Sequence, residues 1–523
     1  MTIKNIKKYI YLVSISIIFI GCSSNKSNNT FTKLPDIYKH QWSDTAFPFT
    51  GACVVDIDND GLKEIFVGGG QGQEDALLSF KSNQLINKIS NSGLSSKQAT
   101  YGCLAIDFDN DKDTDLIINR NDGVYVYFNN NSHFTPKKLP IDMPKNSVSL
   151  STSASDIDLD GDFDLYINMF VDFTNFRSGV FNDPSHARKN ILLRNDGNFK
   201  FTDITNKSNT AGKQNTFLSV FTDLNNDGRQ DLVVAQNTGQ VEIFKNNHDS
   251  TFSSINIDSG YGFWMGIGLG DIDKDGDQDI FLSNAGSSIP TFLTKGDLKD
   301  NQRQNVNWLL LKNNGNFNFT DDTKSLGITD QGFAWGAVFE DLDINTNLDL
   351  LVAENYIKWP IHKLFKLSGK IYSISDSGKF SLNNNWGISN KYFGQSPLIV
   401  DINNDFIPDI AWLNIDGPFR VFINKHKGDF LSISLPSNAL SAGAKVIVEL
   451  TNGKKYTKEW LIGTGMLTQQ DTDLFFGLTP SSKVKNLKVK WANNQETIIP
   501  SPTINKRYLI SKKEYKILSP KKK

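Results

Sequence analysis

The chain has 523 residues, with 55 Lys+Arg against 57 Asp+Glu and a formal charge of −2. So even a balance excludes generic nucleic-acid binding through phosphate neutralisation, and 11% aromatic residues with 21% charged are too apolar for a disordered polymer. Three cysteines exclude a disulfide scaffold, and sixteen prolines without a Gly-X-Y period exclude a collagen-like chain.

Lys4, Lys7 and Lys8 precede an apolar stretch from Ile10 to Ile20, which ends in Gly21-Cys22-Ser23-Ser24. About 11 apolar residues are too few to span a bilayer as a helix but suit a signal-peptide core. A cysteine after a small residue at the end of that core resembles a bacterial lipobox, whose thiol takes a diacylglycerol thioether before cleavage. We therefore expect a lipoprotein signal peptide at 1–21 and lipidation of Cys22. Residues 22–44 should form a tether and a ring-closing strand. The expected location is the bacterial cell envelope, with the lipid anchor at the outer membrane or cell surface, facing outward or toward the periplasm.

The pattern Asp-x-Asp/Asn-x-Asp/Asn-x-x-x-Asp/Glu, kept in full or in degenerate form, starts at Asp56, Asp107, Asp156, Asp223, Asp271, Asp341 and Asp401, at spacings of 51, 49, 67, 48, 70 and 60 residues. Apolar runs such as Cys103–Ile106 precede a loop, and Leu116-Ile117-Ile118 or Leu232-Val233-Val234 follow one. Runs apolar on consecutive positions fit strands covered on both faces. Asn121-Asp122-Gly123 then turns into Val124 to Phe128, and Asn129-Asn130-Asn131 into Phe134 to Leu139. Four antiparallel strands per ~50-residue unit describe a propeller blade. The expected fold is all-β: a seven-bladed β-propeller over 45–428, followed by a small C-terminal β domain. An extended solenoid would need capping repeats that the sequence does not show. Outer strands read Phe201-Thr202-Asp203 and Phe319-Thr320-Asp321, and blade seven lacks one. Phe31-Thr32-Lys33-Leu34 has that pattern and is predicted to close the ring there.

Cys53 lies three residues before its loop and Cys103 four before its own. Opposite parity along a strand points side chains to opposite faces, which predicts two unpaired cysteines rather than a bridge, even in an oxidising compartment.

Positions 1, 3, 5 and 9 of each loop offer side-chain oxygens, position 7 a backbone carbonyl, and glycine at position 6 permits the tight turn, as in a shortened EF-hand loop. Hard oxygen donors at this density favour Ca²⁺. The candidate ligands are Asp56, Asp58, Asp60, Leu62 and Glu64; Asp107, Asp109, Asp111, Asp113 and Asp115; and Asp156, Asp158, Asp160, Asp162 and Asp164. Further on they are Asp223, Asn225, Asp227, Arg229 and Asp231; Asp271, Asp273, Asp275, Asp277 and Asp279; and Asp401, Asn403, Asp405 and Asp409. Lys112 and Phe406 replace the glycine in the second and seventh loops, and Asn345 and Thr346 mark the sixth as the one expected to stay empty. About five structural Ca²⁺ sites are expected.

These loops resemble the FG-GAP/VCBS repeat family, whose Ca²⁺-loop propellers also form the head of integrin α chains. From Gly428 the acidic loops stop, and 429–511 reads as a small, separate β domain. Gly443-Ala444-Lys445-Val446, Gly463-Thr464-Gly465, Gln469-Gln470-Asp471, Phe476-Gly477-Leu478 and Val489-Lys490-Trp491 follow the order of the ASPIC/UnbV domain, as in the cartilage acidic protein-like family. Met466 stands where that family usually has an aromatic. The resemblance implies no reaction and brings no catalytic residues. Residues 512–523 hold six lysines and read as a basic tail.

The long spacings place insertions at 170–189, 286–304 and 354–364, all after the second strand of a blade and so opposite the acidic loops. Insertions on one rim of a rigid ring build a binding surface. They carry Phe173, Phe176, Arg177, His186, Arg188, Tyr356, Trp359 and His362, residue types that anchor interfaces and sugar rings. The leading functional reading is a surface-anchored, calcium-stabilised, non-enzymatic protein that binds an extracellular protein or glycan. It would touch the membrane through its N-terminal lipid and bind no nucleic acid. The alternative is an extracellular lyase or hydrolase, which would need acid, base or Arg groups converging in the central funnel. An accessory role in biosynthesis of a secreted product rests only on the tail domain's name.

Overall fold

Apolar residues on consecutive positions of one strand serve two interfaces, and that arrangement builds a ring. The computed structural model describes residues 30–287, 290–329, 331–355, 367–375 and 377–520. In blade one, Ile65 and Val67 pack with Leu398, Ala411 and Val421 of blade seven, while Phe66 between them packs with Cys103, Leu116 and Ile118 of blade two. Each such fully buried side chain contributes roughly 1.5–3 kcal/mol.

Seven sheets of this kind form the ring. Their strands are Ala52–Val55, Glu64–Val67, Ala76–Lys81 and Gln84–Asn87 in blade one, and Thr100–Ile106, Asp115–Arg120, Gly123–Asn130 and His133–Lys138 in blade two. Blade three has Ser147–Ser155, Asp164–Val171, Ile191–Asn195 and Phe201–Asp203; blade four has Thr216–Thr222, Asp231–Gly239, Glu242–Asn246 and Phe252–Ile255. Ile267–Gly270, Asp279–Leu282, Leu309–Asn313 and Phe319–Asp321 make blade five. Blade six is Ala334–Glu340, Asp349–Glu354, Lys370–Ile374 and Phe380–Leu382. Blade seven combines Gly394–Val400, Asp409–Asn414 and Arg420–Asn424 with Phe31–Lys33, whose Phe31 pairs antiparallel with Asn424. Chain from before blade one thus supplies the outer strand of the last blade, and the ring has no open edge there.

The cysteine expectation is overturned. Cys53 and Cys103 form a disulfide, with Cα atoms 5.6 Å apart. The parity observation was sound but its consequence was reversed. Neighbouring blades face each other with opposite surfaces, so positions of opposite parity are the ones that meet. Both cysteines lie in the interface between blades one and two.

At the start of the inner strand, the end away from the acidic loop, the register slips in five blades. Tyr101, Leu150, Phe217, Trp335 and Gln395 each fall at the slip. A bulge re-aims the side chain it frees. Tyr101, Leu150, Phe217 and Trp335 join Phe47 and Phe49 in one apolar cluster that fills this end of the axis. Phe49 meets Phe217 at 5.4 Å and Trp335 at 5.2 Å.

The C-terminal region is not separate from the ring. It holds two sheets, Leu474–Leu478, Asp429–Ser434, Lys506–Ile510 and Tyr515–Leu518 in one, and Lys455–Glu459, Lys445–Leu450, Val484–Lys490 and Glu496–Pro500 in the other. Their shared core is continuous with Leu104, Ile106 and Phe108 of blade two and Phe163 and Leu165 of blade three. The segment read as a basic tail contributes the strand Tyr515–Leu518. Between the two sheets, the chain from Gly463 to Asp471 enters the other end of the axis. Thr468 pairs in parallel with Ala52, and Gly465 exchanges backbone hydrogen bonds with Ile267. Gln469 accepts from the Ala105 N–H and donates to its carbonyl. Met466 is fully buried in the axial cluster, where Gly336 leaves room for it: a Cβ there would lie 2.8 Å from the Met466 side chain. Among the described residues no helix is long and apolar enough to cross a membrane.

Candidate functional site

All seven acidic loops share one backbone path. The first aspartate accepts the position-6 N–H, from Gly61 to Asp56 at 2.9 Å, Lys112 to Asp107 at 3.2 Å and Phe406 to Asp401 at 3.0 Å, with equivalents in the other four. The position-9 carboxylate accepts the position-2 N–H with one oxygen, as in Ile157 to Asp164 and Ile272 to Asp279, both 2.9 Å. Its other oxygen accepts an asparagine N–H at the end of the third strand, from Asn129, Asn195, Asn246, Asn313 and Asn424 in five blades. Position 9 is therefore a structural knot as well as a candidate ligand.

Two positions per loop hold left-handed backbone. Position 6 does so even without glycine, at Lys112 (φ 82°), Thr346 (78°) and Phe406 (73°). Position 4 does so throughout, at Asn59, Asn110, Leu159, Asn226, Lys274, Ile344 and Asn404. Side chains at position 4 reach the next loop. Asn59 donates to Asp113 at 2.8 Å, Asn110 to Asp162 at 3.1 Å, Asn226 to Asp277, and Lys274 to Asn347 at 2.7 Å. The loops thus form linked stretches of a belt. Position 4 was missed in the sequence, although four asparagines there were a signal, since Asn tolerates this conformation best after Gly.

Carboxylate oxygens of Asp56, Asp58 and Asp60 lie within 4.8 Å of one another, as do those of Asp107, Asp109 and Asp115, of Asp156, Asp158 and Asp164, and of Asp271, Asp273 and Asp275. Oδ1 of Asp56, Asp107, Asp158 and Asp271 is buried without a hydrogen-bond partner. Burial, reinforced by neighbouring aspartates, raises the Asp107 carboxyl to about 6 and those of Asp156 and Asp271 to about 7. A divalent cation would satisfy the unpartnered oxygens and offset that repulsion. The residues present fit Ca²⁺ in these loops.

The other three loops engage the C-terminal region, as Lys63 of the first loop also does at 3.7 Å from Asp471. Lys445 Nζ lies 3.4 Å from Asp223 Oδ2, and the Asp223 N–H donates to Glu459. Arg507 pairs with Asp401 at 2.5 Å and with Asp473 at 3.1 Å. Lys458 pairs with Glu340, next to Asp341, at 2.5 Å. Ile344 and Phe406, at the two left-handed positions of the sixth and seventh loops, pack with Phe430 and Phe475, and Arg507 lies 4.3 Å over the Phe406 ring. The sixth and seventh loops, which lost acidic or glycine residues, have packing and ion pairs in their place.

On the opposite face the insertions of blades three and five lock together over blade four. The Asp297 carboxylate accepts the N–H groups of Phe181 (2.6 Å) and Asn182 (3.1 Å), and Asn182 exchanges amide hydrogen bonds with Gln302. Beneath this arch lies a cleft of about 610 Å³, within the usual range for small-ligand sites. Several expected rim residues point elsewhere. Phe173 and Phe176 pack edge-to-face against Phe47, His186 is 3% exposed, and burial pushes its imidazole pKa down. Arg188 donates to the carbonyls of Ser185, Ala187 and Asn146. Of these five, Arg177, paired with Asp183 at 2.8 Å, and Phe176 are exposed, while Phe173 and Arg188 are half-buried. Tyr356, Trp359 and His362 lie outside the described residues, as do the signal segment and Cys22.

Solved structures with related architecture include BBS1N in complex with ARL6DN (9% identity, TM-score 0.43, covering 75% of this chain and 97% of that one). Rhamnogalacturonan lyase YesX matches at 12% identity and TM-score 0.41, covering 76% of each chain. The V. cholerae biofilm matrix protein Bap1 matches at 10% and 0.33, over 93% of this chain and 64% of that one. Likenesses this low carry no functional argument. No curated protein matches the chain. Family models do match: the FG-GAP-like repeat at 107–167 and 223–282, and "ASPIC and UnbV" at 434–517. The chain thus carries FG-GAP-like repeats within its propeller and an ASPIC and UnbV domain in its C-terminal region.

Proposed function

We propose that this protein is a calcium-stabilised, lipid-anchored propeller of the bacterial cell envelope that binds an extracellular protein or glycan on its insertion rim. One observation carries the reading. The axis is filled at both ends, by the Phe47–Phe49 cluster and by Gly463–Asp471, while the opposite rim holds a built arch with a cleft beneath it. A filled axis offers no funnel in which catalytic groups could converge. Among the described residues that line the cleft, Glu242 is the single carboxylate, whereas glycoside hydrolysis ordinarily uses a pair.

In this reading Cys22 carries the lipid, and Asp56, Asp58 and Asp60, Asp107, Asp109 and Asp115, Asp156, Asp158 and Asp164, and Asp271, Asp273 and Asp275 hold Ca²⁺. The ion supplies charge neutralisation and pins the inner hairpins. It takes no part in chemistry on the bound partner. The test is capture by the full chain in detergent, with Ca²⁺, from a panel of extracellular proteins and glycans. Asp297→Ala, which unlocks the arch, should abolish capture without changing the calcium response of the melting curve. Capture unaffected by Asp297→Ala, or substrate turnover, would sink the reading.

A further inference from the structure

We propose that the cleft beneath the arch is a saccharide site, in which side-chain amides on and beside blade four grip the hydroxyls of a short oligosaccharide. The proposal rests on the insertion rim being a binding surface and names its ligand class. Asn182, Gln214, Gln236, Gln240, Asn256 and Gln302 all line the cleft; Asn182 and Gln302 hold each other in the arch, which leaves Gln214, Gln240 and Asn256 to meet a ligand. An amide offers both donors and an acceptor, as a sugar hydroxyl does, so a set of them reads a polyol without demanding charge.

The amides are held in place. Gln236 is 1% exposed and donates to Glu242 Oε2 at 2.5 Å, and Gln214 donates to the Phe181 carbonyl at 2.7 Å. That leaves Gln214 Oε1 buried without a protein partner, an acceptor available to a ligand hydroxyl. Gly239 keeps the approach open, since a Cβ there would lie 2.8 Å from Gln236 Oε1. Ile255, Ile257 and Tyr261 supply apolar surface in the same cleft, suited to the C–H face of a sugar ring. A peptide would be expected to use a deep apolar anchor pocket, and a polyanion a cluster of arginines. The cleft has neither: its cations are Lys189 and Lys213, and Lys213 lies 3.8 Å from Glu242.

The experiment is calorimetry and saturation-transfer NMR on the full chain in detergent with Ca²⁺. The probes are tetrasaccharides of neutral hexose, of N-acetylhexosamine and of uronate. Saturable binding of at least one probe is expected, weakened about tenfold in the Gln240→Ala/Asn256→Ala double variant. Both substituted side chains are solvent-accessible, so folding is not at stake, and an unchanged melting curve verifies it. Binding that survives the double variant, or no binding of any probe, overturns the saccharide site. If an extracellular protein is still captured through the arch, the wider reading stands while this one falls.

Discussion

Asn129 of blade two donates its side-chain amide to the backbone carbonyl of Ile57 in the acidic loop of blade one, at 3.0 Å. The same tie joins Asn246 to Ile157, Asn313 to Leu224 and Asn424 to Leu342. One asparagine thus fixes the position-9 carboxylate of its own blade through its backbone and the preceding loop through its side chain. Asn129→Ala leaves buried carbonyls unpaired and should cost about 1–3 kcal/mol by denaturant unfolding. Asn195 makes no such tie to a neighbouring loop among its bonds and should cost less. Equal losses would show that the inter-blade bond contributes nothing.

Calcium should stabilise the ring. At a free concentration a hundredfold above Kd, each site adds about 2.7 kcal/mol. Asp158→Asn removes one anionic ligand while keeping the side-chain shape. Its melting temperature in EDTA should equal or exceed that of wild type, because the repulsion is relieved, and its gain on adding Ca²⁺ should be smaller. An unchanged gain would exclude an ion there.

Lys112 holds left-handed backbone with an exposed side chain, so Lys112→Gly should stabilise by about 1 kcal/mol. Phe406 holds the same conformation but is buried under Arg507, so Phe406→Gly should destabilise by about 2–4 kcal/mol as a cavity opens. Chemical denaturation of the pair reads both signs.

Cys53→Ser should lower stability by about 2–4 kcal/mol, because the bridge closes a 50-residue separation in the unfolded chain. Intact mass under non-reducing conditions should be two hydrogen atoms lighter than after reduction. Free thiols at both positions would refute the bridge.

Burial lifts the Glu242 carboxyl from about 4.5 to about 7, with the Lys213 charge opposing only in part. A raised acid favours the folded state while protonated, so this contribution is present below about 4.5 and is lost as pH rises through about 7. The melting-temperature difference between wild type and Glu242→Gln should therefore shift against wild type across that window. A difference that stays flat with pH would refute the shift.

The ring was legible because its signal repeats: seven loops in one phase outvote any single ambiguous strand, and Phe31-Thr32 showed the pattern that blade seven lacked. The acidic clusters of four loops were legible for the same reason. What failed was relational. Cys53 and Cys103 were judged within one strand's geometry, although the bridge belongs to two facing blades. Phe173, Phe176 and His186 were chosen for residue type, but aromatic side chains on an insertion gain more by packing on Phe47 than by facing water. The amides beneath the arch were passed over, since glutamine in a strand carries no motif. The Gly463–Asp471 signature was recognised, but its place in the axis depends on contacts more than 350 residues away in sequence, such as Gln469 with Ala105.

The parallel pairing of Thr468 with Ala52 separates the order of synthesis from the order of assembly. The first blade to emerge cannot complete its inner edge until nearly the whole polypeptide has been made, so early blades must wait as an unfinished arc. A chain truncated before Gly463 would keep all seven repeats and the Phe47–Phe49 cluster yet leave the other end of its hub unfilled, with the inner edge of blade one open to pairing with other chains.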